Sequence, residues 1–147
     1  LELASEPREG GLIVIRRKRG AKSFEYGWRQ KMGRVVALMD DLFFQMKVAE
    51  TAKHLGVEFK VATTAEGLTP LLGAPTKLVI VDLNARSGPV ATIERIRATD
   101  QGLPVVAFLS HVQTELAAQA KAAGCNEVMP RSVFTQNLAA IVGRAKD

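Results

Sequence analysis

From residue 34 onward, short runs of consecutive apolar residues alternate with stretches in which apolar residues recur every three or four positions. Residues 34–39 form the first apolar run, the pattern of a strand buried on both faces. Asp40 and Asp41 follow and can cap a helix. Phe44, Val48, Ala52 and Leu55 then lie on one helical face, which Gly56 ends. Residues 57–62 read as a second strand and 64–72 as a short helix, closed by Gly73 and Pro75. Residues 77–82 are the most apolar strand and end on an acid, Asp82; residues 90–98 are helical. Pro104 opens a fourth strand, to 109, at the first position of the strand, where proline is tolerated. The spacing predicts an alanine-rich helix over 114–123, stopped by Gly124, a strand over 127–129 and a last helix over 133–143.

Five strand–helix units in about 115 residues specify an open, doubly wound parallel sheet with helices on both faces, an α/β fold. In such sheets ligands bind at the carboxyl ends of the strands, where the strand order reverses. The residues placed there are Asp40 and Asp41, Thr63 and Thr64, Asp82 to Asn84, Leu109 to His111, and Pro130 to Ser132. Acids at the ends of the first and third strands make a hard-cation pocket, with Mg²⁺ its natural occupant, and Arg131 offsets part of that charge. Taken alone, each acid reads as a helix cap before it reads as a ligand, because every strand feeds a helix; it is their pairing at the first and third strand ends that gives the site reading equal weight.

Charge divides the chain. Residues 1–31 carry eight Lys/Arg against four Glu, whereas residues 32–147 carry twelve Lys/Arg against eleven Asp/Glu. The pI near 9.7 is therefore mostly a property of the first segment. Residues 1–31 are read as a basic N-terminal arm or a non-native, translated upstream flank, and 32–147 as the domain. Met32-Gly33-Arg34 leads directly into the first strand. The globular part gives no electrostatic case for nucleic acid. No apolar run is long enough to span a bilayer. One cysteine, Cys125, excludes an internal disulfide and a multi-cysteine zinc site, which points to a cytoplasmic location. Cys125 reads as core and His54 as a surface residue. No glycine-rich dinucleotide fingerprint, Walker A sequence or nucleophile elbow occurs, so the expectation is a protein that is not an enzyme.

Several stretches carry a family resemblance: Arg34 to Asp41, Leu78 to Leu83, Leu103 to His111 and Ala123 to Arg131. Together, residues 34–144 resemble a response-regulator receiver domain of two-component phosphorelay signalling, most like the small stand-alone receivers. The resemblance implies a flavodoxin-like (βα)5 sheet with strand order 2-1-3-4-5. It implies that Asp82 accepts a phosphoryl group. An acid pair after the first strand helps hold a weakly bound Mg²⁺. The ungapped count from Gly56 puts that pair on Met39 and Asp40, with Asp41 as substitute. Asn84 matches the position whose backbone carbonyl also meets the metal.

The same comparison exposes departures. Leu109 stands where the family carries a hydroxyl, with Ser110 one residue later, and Arg131 stands where the family carries Lys. Arginine is a planar, always charged fork, so the exchange is not neutral. Ser110 cannot replace Leu109 without a local shift, since adjacent strand residues face opposite sides. The expectation is a degenerate receiver that works through a protein partner, a kinase or an output protein, on the face from Thr114 to Gly143. The alternatives are a constitutive scaffold without phosphorylation and a nucleic-acid-associated regulator using the arm.

Overall fold

The structure, a computed structural model, describes residues 33–110 and 113–146; the arm at 1–31, and His111 and Val112, lie outside the described residues. The chain runs β1 (Arg34–Leu38), α1 (Leu42–Leu55), β2 (Glu58–Ala62), α2 (Ala65–Leu68), β3 (Thr76–Asp82), α3 (Pro89–Thr99), β4 (Val105–Leu109), α4 (Thr114–Ala122), β5 (Glu127–Pro130), α5 (Arg131–Gln136) and α6 (Leu138–Gly143). All neighbouring strands are parallel, in the order β2-β1-β3-β4-β5.

The apolar runs explain the layering. Side chains alternate across a strand, so each run feeds two cores. Val35, Ala37, Ile80 and Phe108 point to one face, where Phe44, Val48 and Ala52 of α1 and Phe134, Leu138 and Ile141 of α5 and α6 cover them. Val36, Leu38, Val79, Val81, Ala107 and Leu109 point to the other, beneath Leu68 of α2, Ile93 and Ile96 of α3 and Ala120 of α4. The first core centres on three rings: Phe108 stacks on Phe134 at 4.7 Å, and Phe44 meets Phe108 edge-on at 5.2 Å.

Two helices differ from the expected pattern. The helix expected over 64–72 is α2 followed by a 3-10 turn, Thr69–Leu71. Pro70 has no N–H to continue the α-helical ladder. The helix expected over 133–143 starts at Arg131 and breaks at Asn137, whose side-chain amide donates to the Val133 carbonyl at 2.9 Å. Such local bonds compete with the helical pattern.

An unforeseen staple closes the far end of the sheet. The Arg97 guanidinium donates to the carbonyls of Gly124, Leu103 and Asp100 and to Asn126 Oδ1, at 2.7, 2.6, 3.1 and 2.7 Å. Gly124 has φ 113, and a Cβ there would run into the Arg97 side chain. Cys125 is buried as expected, its thiol pKa raised chiefly by burial. His54 is exposed beside Glu50, at 3.7 Å. Among the described residues no helix is long and apolar enough to cross a membrane.

Candidate functional site

β1 and β3 are adjacent, and the strand order reverses at this pair, since β2 lies outside β1 and β4 outside β3. Leu38 pairs with Val81, so both chains leave the sheet at the same level. Parallel geometry thus brings the acids after β1 and the acid ending β3 to one rim, the switch point of the fold.

Asp82 continues the inward row of Leu78 and Ile80 and is only 6% exposed. Its carboxyl pKa is raised above the usual value, first by burial and further by Asp40 and Asp41; the Asn84 N–H and Arg131 oppose the rise. The Asn84 N–H donates to Asp82 Oδ1 at 2.9 Å. Asp40 is partly exposed and its Oδ2 accepts the Arg86 N–H at 2.8 Å, which ties the loop after β3 to the end of β1.

Asp41 takes the first of the two uses the sequence offered it, helix cap rather than metal ligand. It is the N-cap of α1, accepting the Phe44 N–H at 3.1 Å, and it receives Arg131 Nη2 at 2.7 Å. Its pKa is lowered, first by the Phe44 N–H and then by Arg131. Met39, the other residue of the ungapped count, is fully buried in the first core. Among the described residues no three acidic, histidine or cysteine side chains come together to hold a metal ion, so Asp40, Asp41 and Asp82 do not form a three-carboxylate set. Asp40 and Asp82 are the carboxylates left that could hold a cation, since Asp41 is taken by the Phe44 N–H and Arg131. Mg²⁺ is commonly bound by one or two carboxylates while keeping several waters, so this donor set suits it weakly.

Arg131 opens α5 directly after β5. Its guanidinium lies 4.3 Å over the Phe44 ring and 5.8 Å from that of Phe108. Ring face and Asp41 together hold the cation beside the acid pocket rather than in contact with Asp82. Leu109 is 3% exposed and its side chain belongs to the second core, so no hydroxyl reaches the rim from that position. Ser110 is exposed and takes part through its backbone, its N–H donating to Asn84 Oδ1 at 2.7 Å. The Asn84 Nδ2 donates to Gln113 Oε1 at 3.0 Å.

The sequence reading missed two features of this rim. One is the Asn84 side-chain bridge, whose partners are 26 and 29 residues away. The other is the exposure of Leu42, Phe43 and Met46 on the first turns of α1, at 67, 85 and 63%. Positions i, i+1 and i+4 beside a core-facing Phe44 carry that second signal, once the buried stripe of α1 is drawn.

No sequence-family model and no curated protein matches the chain. Solved structures do. The BeF3-activated DrrB receiver domain is 20% identical at TM-score 0.67, over 77% of this chain and 96% of that one. A CheY-like receiver domain protein from Methanospirillum hungatei JF-1 is 15% identical at TM-score 0.65, over 78% of this chain and 96% of that one. The chemotaxis response regulator CheY4 of Vibrio cholerae is 19% identical at TM-score 0.66, over 78% and 98%. With the five-stranded parallel sheet in the order 2-1-3-4-5 and its acid-lined switch point, this chain has the fold of a response-regulator receiver domain.

Proposed function

We propose that the chain is a response-regulator-like signalling module in which Asp82 accepts a phosphoryl group and the readout is a protein–protein contact. The observation that carries this reading is the buried Asp82 at the switch point, with Asp40 on the adjoining strand end. A divalent cation held by Asp40, Asp82 and the Asn84 carbonyl would offset negative charge on a phosphoryl donor. An Asp82 oxygen attacks the donor's phosphorus, the bond from phosphorus to the donor's leaving group breaks, and that group departs with the bonding pair, so the protein is an acceptor and not an enzyme with turnover. Burial that disfavours the Asp82 charge makes a neighbouring cation the more necessary, because the acyl phosphate carries more negative charge than the carboxylate it replaces.

The module is degenerate in its switching parts. Leu109 has no donor to meet a phosphoryl oxygen, and Arg131 is engaged by Asp41 and Phe44. The partner face is the region from Thr114 to Gly143, where Gln113, Thr114, Glu115, Leu116 and Gln119 line an open groove of ≈ 420 Å³. A cytoplasmic home suits the reduced, buried Cys125. The test is thermal unfolding with Mg²⁺, then with Mg²⁺ and beryllium fluoride. Millimolar Mg²⁺ raises the melting temperature by mass action, and Asp82→Asn abolishes the rise. A chain indifferent to both additions would leave the constitutive scaffold as the reading.

A further inference from the structure

We propose that Asn84 is the coupling residue of this domain: its side-chain amide transmits the state of Asp82 to the entrance of α4, the task the residue at 109 cannot perform. The proposal deepens the function above and rests on Asp82 being the group whose state changes.

The argument is one of connectivity. Asn84 touches Asp82 through its backbone, the N–H donating to Asp82 Oδ1 at 2.9 Å. Through its side chain it touches the other end of the rim twice. Its Oδ1 accepts from the N–H of Ser110, the first residue past β4, at 2.7 Å, and its Nδ2 donates to Gln113 Oε1 at 3.0 Å. Gln113 is the N-cap residue of α4, whose carbonyl accepts the Ala117 N–H at 2.9 Å. Both ends of one planar amide are therefore committed to the β4–α4 connection while its own backbone is committed to the acid.

A planar amide with both ends bonded has little freedom to yield at one end alone. A carboxylate that binds a cation or becomes esterified is a weaker acceptor for the Asn84 N–H, because hydrogen bonds to ionised acceptors are roughly twice as strong as neutral ones. Loss of that anchor frees the backbone at residue 84 to turn, and the side chain carries Ser110 and Gln113 with it. Leu109 is fixed in the second core and does not follow. The movement therefore falls on Ser110, Gln113 and the first turn of α4, where the groove of Gln113, Thr114, Glu115, Leu116 and Gln119 lies.

The test is a double-mutant cycle read by amide hydrogen exchange on the full chain, with Asp82→Asn, Asn84→Ala and the double variant. It needs no phosphoryl donor. Asn84→Ala removes the acceptor of the Ser110 N–H and speeds exchange at Ser110 about fivefold, the worth of one ordinary hydrogen bond. Asp82→Asn, in the presence of Asn84, changes exchange at Ser110 and at the α4 amides of Leu116 and Ala117. In the Asn84→Ala background the same substitution leaves those amides unchanged. A role in structure alone gives additive effects, so equal factors in both backgrounds overturn the proposal, as does no effect of Asp82→Asn in either. Beryllium fluoride with Mg²⁺ separates this from the phosphoacceptor reading. A non-additive cycle without mimic binding supports the coupling and sinks the acceptor, whereas mimic binding with an additive cycle sinks the coupling alone.

Discussion

Asp82→Asn stabilises the domain at neutral pH. The Asp82 side chain is 6% exposed, and burial is the largest influence on its raised pKa. An effectively buried carboxylate carries a penalty on the order of several kcal/mol. One amide bond to a charged acceptor, that from Asn84, returns about 1.5–3 kcal/mol. Arg131 acts only at longer range, since its guanidinium is held by Asp41. About 1–2 kcal/mol of penalty is left, and an asparagine removes it while keeping an oxygen for the Asn84 N–H. For a domain of this size each kcal/mol is about 4 °C in melting temperature. The sign with pH follows from the raised pKa. The folded state binds the proton more tightly, so the penalty is absent below the ordinary carboxylate value of 3.8 and is felt in full above the folded pKa. Urea unfolding of both proteins between about pH 4 and pH 7.5 checks it, the gap in favour of the variant widening as pH rises. A variant less stable than the wild type near neutrality, or a gap that does not change with pH, would refute the reasoning.

Other outcomes follow from the same contacts. Asp41→Asn lowers the melting temperature at neutral pH by loosening the α1 cap and the Arg131 pair; because the Asp41 pKa is lowered, the deficit shrinks as pH falls from 3.8 through the folded value, read by melts across that window. Arg97→Ala leaves the carbonyls of Gly124 and Leu103 without their donor and costs about 2–3 kcal/mol in urea unfolding, with Mg²⁺ response unchanged. Phe108→Ala opens the ring cluster beneath Arg131 and costs about 3–5 kcal/mol; a loss under about 1 kcal/mol would contradict the packing described.

The layout of the sheet was legible because β1, β3 and β4 carry unbroken apolar runs and α1 shows a buried stripe of Phe44, Val48 and Ala52. The acids at the rim were legible too, since strand ends meet at the switch point whatever the loops do. What the pattern could not supply were pairings between distant residues. Arg131 and Asp41 are 90 positions apart, and nothing in either segment says that the cation lies on the Phe44 ring instead of on Asp82. The same holds for Asn84, whose sequence position suggested a carbonyl ligand while its side chain bridges two strand ends. Asp41 was ambiguous between cap and ligand because both uses need a carboxylate at the same place, and only the direction of the Phe44 N–H separates them.

The central claim is that Asp82 is a phosphoryl acceptor, and intact-mass spectrometry after incubation with acetyl phosphate and Mg²⁺ tests it most directly. The account predicts one added phosphoryl group, formed slowly, lost on treatment with hydroxylamine as an acyl phosphate is, and absent from Asp82→Asn. No mass gain, or a gain that survives Asp82→Asn, would contradict it.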